Sequence, residues 1–113
     1  MHELGVTEEM LSLVVREAQA HGASRVTAVN LLLGEFSTIV EESVRFYWDF
    51  LCRGTIAEGA DLHFTIVPAA ARCRACGNSY RPDARDERCP VCGEALPMLI
   101  QGDEFRVESI DIE

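Results

Sequence analysis

The chain has 113 residues, 48% of them hydrophobic, and a formal charge of −9 with arginine as its only basic residue type besides three histidines. That balance excludes a general nucleic-acid binder, which needs a positive surface against phosphate. No apolar run reaches the roughly 18 residues of a membrane span, and no basic segment leads into an apolar stretch at the start, so neither an anchor nor a signal peptide is expected. The length suits one compact domain with a small appended module. A cytoplasmic location is the expectation, and there cysteines are read as metal ligands before disulfides.

The chain opens Met1-His2-Glu3. A first helix follows, with Thr7 as its N-cap and Glu8 and Glu9 in the first turn, where the helix dipole favours anions. Leu11, Val14, Val15 and Ala18 recur on one face, and His21-Gly22 marks the end, glycine taking the C′ position. Residues 25–33 read as a strand: Val29, Leu31 and Leu33 alternate, and Val26 and Leu32 make the second face partly apolar, the pattern of a central strand. A loop over 35–39 leads to a second helix over 40–53, closed by Gly54. Its stripe of Val44, Tyr47, Trp48 and Leu51, widened by Phe46 and Phe50, predicts a well-buried helix whose aromatics are core rather than a cofactor box. Leu62, Phe64 and Ile66 alternate along a strand over 61–67, ended by Pro68. Ala69-Ala70-Ala71 reads as a connector.

Two knuckles follow, Cys73-Arg74-Ala75-Cys76-Gly77 and Cys89-Pro90-Val91-Cys92-Gly93, separated by twelve residues. Each puts two sulfurs on one tight turn with a glycine free to take positive φ. Two facing turns make a four-thiolate cage, the closed geometry of structural zinc. The segment has too little apolar content to fold without such a staple. Residues 72–93 carry five arginines against three acids, a formal +2 that leaves −11 elsewhere. The arginines offset the thiolates, or form a docking surface for an acidic protein.

After the knuckles come a short strand over 98–100, a Gly102-Asp103 turn and a last strand over 104–113. In that strand the apolar phase slips from Phe105 and Val107 to Ile110 and Ile112, which predicts a bulge near Glu108 and Ser109. The last strand should return to the first sheet. The expected fold is therefore α+β: a small mixed sheet packed with two helices over 1–69 and 98–113, with a four-cysteine, zinc-ribbon-like module over 70–97 inserted between strands. Such a joint can hinge, and elements can be exchanged between two copies.

The N-terminus is a second candidate metal site. A bulky second residue should protect Met1 from trimming and leave a free amine. That amine, the deprotonated amide nitrogen of His2 and its imidazole can wrap one metal in unstrained chelate rings, with the Glu3 amide or carboxylate as a fourth ligand. Nitrogen-rich planar geometry suits Ni(II) or Cu(II). Read alone, His2 is as an ordinary matter a solvated side chain. Other candidates read blandly: His21 as a cation at a helix end, His63 on a polar strand face, Cys52 as a small buried hydrophobe, and Glu41, Glu42 and Asp49 as solvated helix positions.

Taken together, Met1-His2-Glu3, Leu33-Gly34-Glu35, Cys52-Arg53-Gly54-Thr55, Glu58-Gly59-Ala60, the paired knuckles and Gln101-Gly102-Asp103-Glu104 resemble the HypA/HybF family of hydrogenase maturation nickel chaperones along essentially the whole chain. The resemblance implies Ni(II) as transferable cargo bound by Met1, His2 and Glu3, with His2 the essential ligand. It implies structural Zn(II) on Cys73, Cys76, Cys89 and Cys92. It implies delivery to the large subunit of [NiFe] hydrogenase, in some organisms also to urease, with a maturation GTPase as partner. The protein would be a monomer or a homodimer, domain-swapped in one form. Some members carry an Asp near the nickel where this chain has Val40 followed by Glu41 and Glu42, which are not counted as ligands.

Three other readings compete. A rubredoxin-type electron carrier uses similar knuckles around iron, but twelve residues is a short gap for it, and of its aromatic core only Tyr80 is near. A zinc-ribbon adaptor would hold zinc and no transferable metal. An enzyme is not expected: no Ser-His-Asp or Cys-His pairing and no phosphate loop stands out, and a closed four-thiolate site has no open position for substrate.

Overall fold

A computed structural model describes residues 3–83 and 87–113. Helix α1 (Glu3–Ala20) leads to strand β1 (Val26–Gly34), helix α2 (Glu41–Leu51) and strand β2 (Asp61–Val67). Then come β3 (Ala70–Cys73), β4 (Ser79–Tyr80), β5 (Pro97–Gln101) and β6 (Phe105–Ile112). The architecture is α+β, with two three-stranded sheets, β2-β1-β6 and β4-β3-β5.

Helix α1 starts a turn earlier than its sequence predicts. Thr7 is not a cap but lies inside the helix, fully buried, its hydroxyl donating back to the Glu3 carbonyl. A Thr can satisfy its hydroxyl this way without leaving the helix. The buried stripe is Thr7, Met10, Val14 and Ala18, with Leu11 and Val15 at its flank. The far end closes as expected: Gly22 has φ 69°, and Ala23 and Gly22 donate to the Ala18 and Gln19 carbonyls, a Schellman motif.

β1 is the central strand of the first sheet, parallel to β2 and antiparallel to β6. A parallel pair needs a long crossover, and α2 supplies it. The predicted bulge is present. Asn30 faces Ser109 while Leu31 faces Val107, so Glu108 is the extra residue. The bulge brings Val107 and Ile110 to the same core despite their opposite parity.

Helix α2 departs from expectation. Val44 and Trp48 are buried, but Phe46 is 70% and Phe50 60% exposed. Two residues along a helix is a rotation of about 200°, so Phe46 and Phe50 point away from the Val44–Trp48–Cys52 stripe. The core takes one side of this helix only. There Trp48 Nε1 donates to the Ala60 carbonyl at 3.2 Å.

The second sheet forms where only a connector and one short strand were expected. Ala70 and Ala71 belong to β3, and the strand expected at 98–100 pairs with β3, Ala71 facing Leu99 and Cys73 facing Pro97. The radius of gyration is 17.7 Å and the longest extent 55 Å, against about 13 Å for a compact domain of this length. The molecule is thus a body (first sheet and both helices) and a protruding cysteine lobe. At the joint three backbone segments meet without room for side chains. A Cβ on Gly34 would stand 2.2 Å from the Gly102 carbonyl, and one on Gly102 2.6 Å from Ala69 Cα.

The joint also fixes which end of the body matters. Val6 and Met10 lie across a groove from Phe105, whereas Leu13, Glu17 and His21 lie by Val107–Ile112. Because β6 leaves the joint at Phe105, α1 begins at the joint end. β1 ends there too, at Gly34, whose N–H donates to the Glu104 carbonyl at 2.7 Å.

Candidate metal centre

Each knuckle is built by its backbone. Gly77 and Gly93 both have φ 78°, and their N–H groups donate to the Cys73 and Cys89 carbonyls at 2.8 and 2.9 Å. Cys73 and Cys89 in turn donate to the Asn78 and Glu94 carbonyls at 2.8 and 2.9 Å. The two turns are near copies of one another, as the repeated Cys-x-x-Cys-Gly demands.

They face each other. Cys73 Sγ is 3.6 Å from Cys92 Sγ, and Cys76 Sγ is 3.6 Å from Cys89 Sγ. All four sulfurs lie within 4.8 Å of one another. Tetrahedral Zn–S bonds of about 2.3 Å require sulfur–sulfur edges of about 3.8 Å, so the cage has the size for that ion. Cys73 and Cys89 are buried, Cys76 and Cys92 exposed. The Val91 N–H and the Asn78 side-chain amide approach Cys89 Sγ at 3.4 and 3.9 Å, contacts that favour a thiolate.

The electrostatics of the four thiols suit a cation. The N–H of Cys76 lowers the Cys73 thiol. Burial opposes ionisation of Cys89, yet the N–H groups of Cys92 and Val91, with the neighbouring thiols, hold it down to about 6. The Glu94 N–H favours a Cys92 thiolate, but burial and the sulfurs of Cys73, Cys76 and Cys89 push it up to about 12. The Asn78 N–H likewise favours Cys76, while burial and Cys89 raise it. Two thiols go down and two go up, because four sulfurs this close cannot all carry charge unaided. A divalent ion among them removes that conflict.

The second candidate site is described only in part. Met1 and His2 lie outside the described residues. Glu3 opens α1, so its N–H belongs to the first turn, which has no intrahelical acceptors, and its carboxylate stands at the positive end of the dipole. Glu41 and Glu42 occupy the first turn of α2, Glu41 paired with Arg45 at 3.0 Å. His21 is exposed, Nδ1 donating to the Glu17 carbonyl at 2.9 Å, and His63 is exposed on β2. Burial, with Asp49 and Glu58 nearby, pushes the Cys52 thiol up to about 12, as fits a packing residue. No described helix is long and apolar enough to cross a membrane. Glu35 and Arg81 are paired across the joint at 2.7 Å, a contact that no local sequence pattern signals.

Comparison with known proteins adds what the geometry leaves open. The family model described as hydrogenase/urease nickel incorporation, metallochaperone, hypA matches residues 1–112. The hydrogenase maturation factor HypA of Caldanaerobacter subterraneus subsp. tengcongensis is 42% identical over the full length of both chains. The hydrogenase maturation factor HybF of Escherichia coli K12 is 40% identical, again over both full lengths. Among solved structures, the Ni metallochaperone HypA from Helicobacter pylori aligns with TM-score 0.70 at 20% identity, covering 97% of this chain and 96% of its own. Another HypA solution structure aligns with TM-score 0.78 at 21% identity over 100% and 97% of the two chains. At such identities these structures speak for the fold.

Proposed function

The chain belongs to the HypA family of nickel-incorporation metallochaperones for hydrogenase maturation, and from that membership we propose that it captures Ni(II) at Met1, His2 and Glu3 and hands it on in the cytoplasm. The recipient in this reading is the large subunit of [NiFe] hydrogenase, or urease where that enzyme is present, reached in a complex with a maturation GTPase. The match of the family over residues 1–112 carries the reading. Nothing in it calls for catalysis: nickel enters and leaves by ligand exchange.

Zn(II) is the metal we assign to Cys73, Cys76, Cys89 and Cys92. The four sulfurs leave no fifth position for a substrate, which suits an ion that stays. Four thiolates and one Zn(II) carry −2, offset by the formal +2 of residues 72–93. The transferable metal then belongs at the other site, where an α-amine and an imidazole are exchangeable ligands. Both lose protons as nickel binds. With free values near 8 and 6.5, competition from these two protons alone lowers nickel affinity by roughly a hundredfold from pH 7.5 to 6, and the proton of the His2 amide nitrogen, as a third ligand, lowers it further. An affinity constant over that window removes this ligand set.

Metal content by elemental analysis, before and after Ni(II) addition, tests the whole scheme on untagged wild type and His2→Ala. One zinc per chain in both and one added nickel in wild type alone is the expected result. Zinc alone in both would leave the adaptor reading, and iron the electron-carrier reading.

A further inference from the structure

Glu35 sits in the loop after β1 and touches both halves of the molecule. Its Oε1 accepts the N–H of Ala69, at the entrance to β3, at 2.8 Å. Its Oε2 accepts from Arg81 Nη2 at 2.7 Å. Arg81 follows β4, in the linker between the knuckles, and Pro82 and Asp83 join it around a recess shared with Glu35 and Phe36. Both carboxylate oxygens are therefore engaged, one by the connector and one by the linker. The N–H of Ala69 and the Arg81 guanidinium hold this carboxyl below the usual carboxylate range.

The linker in turn is tied to both knuckles. Ser79 and Tyr80 pair with Arg72 and Ala71, directly before Cys73. Tyr80 Oη donates to the Glu87 carbonyl at 2.7 Å, two residues before Cys89. Where Arg81 stands thus depends on both knuckles being in register. The cysteine lobe meets the body at the joint and not across a packed face, since its strands contact chiefly one another. Among the described residues the angle is set by the close backbone approach of Gly34, Ala69 and Gly102 and by the Phe36 N–H donating to the Gly102 carbonyl at 2.7 Å, and the Glu35 contacts add to these.

We propose that Glu35 and Arg81 are positioning residues: they latch the knuckle linker to the body, so that a filled cysteine cage fixes the lobe's orientation toward the end where α1 begins. This rests on the proposed metal at the four cysteines. An exposed ion pair shifts an equilibrium by up to about fivefold, enough to loosen a lobe orientation that the backbone contacts at the joint set together with it.

The test is the alignment of the two lobes from residual dipolar couplings of the zinc-loaded protein. Wild type should give one alignment tensor for β1, β2, β6 and β3, β5. Arg81→Gln and Glu35→Gln, the latter keeping an acceptor for Ala69, should give separate tensors, weaker for the lobe, with one zinc per chain retained. Arg81→Lys should restore a common tensor, because the observed contact is through one nitrogen and a lysine supplies it. A common tensor in both Gln variants, or loss of zinc from Arg81→Gln, overturns the latch. Wild type that binds no zinc overturns the metal assignment instead, which keeps the two failures apart.

Discussion

The body and the cysteine lobe solve the problem of folding in opposite ways. The body buries Val14, Val26, Val29, Leu31, Val44 and Trp48 in one cluster shared by both helices and the first sheet. The lobe buries Ala69, Ala71, Cys73 and Cys89, and leaves Val91, Leu96, Met98, Leu99 and Ile100 exposed. At about 25 cal/mol per Å² of buried apolar surface, such a lobe has little to set against its own conformational entropy. On the proposed zinc assignment, its sulfurs do through a metal what side chains do in the body.

The largest expected effect follows. Chelating the zinc assigned to the four cysteines should cost the lobe an apparent binding free energy on the order of 10 kcal/mol, and Cys73→Ser a part of it. Amide hydrogens of β3 and β5 should then exchange freely while those of β1 keep their protection. Protected β3 and β5 amides in metal-free protein would mean that burial suffices in the lobe. The converse experiment attacks the body. Trp48 is 2% exposed, and Trp48→Ala should destabilise the body by about 3–5 kcal/mol. A lower urea midpoint by circular dichroism, with zinc still at one per chain in native conditions, is the expected outcome. Zinc loss from the folded variant would show that the lobe depends on the body's core after all.

The same contrast explains what could be read from the sequence. The cysteine cage was legible because two short, identical motifs dictate their own turns, and local geometry suffices to make them face. The bulge at Glu108 was legible because one strand must keep one face on the core, so a slip in apolar phase has to be absorbed somewhere. Phe46 and Phe50 are apolar by composition but solvent-facing by helical angle, two positions off the buried stripe. Thr7 is a capping residue type that here bonds back to the Glu3 carbonyl inside the helix, so residue type alone does not mark where the helix begins. The second sheet was hidden because Ala70 and Ala71 carry no strand pattern, and pairing with Leu99 is a tertiary fact. Glu35 was hidden for a related reason: its partners lie 34 and 46 residues away, and no local pattern announces them. The cage, by contrast, cannot be placed relative to the body by spacing at all.

The smallest expected effects mark the outer limit of the body's core. Phe46 and Phe50 share α2 with Trp48, so a helix buried all round would make them as costly to remove. On the observed geometry Phe46→Ala should cost no more than about 1 kcal/mol, through the lost edge-on contact with Tyr47. Each ring keeps one surface partner: Tyr47 stands edge-on to Phe46 with ring centroids 5.4 Å apart, and the Arg53 guanidinium lies 5.8 Å from the Phe50 centroid, an exposed cation–π contact worth about 0.5–1 kcal/mol. Phe50→Ala should therefore cost no more than about 1 kcal/mol, and that cost should shrink in an Arg53→Ala background. Urea titration of these variants measures it. A loss for Phe46→Ala as large as that for Trp48→Ala would mean that this face of α2 is packed, and that the division between a core-bearing side and a solvent side of the helix is wrong.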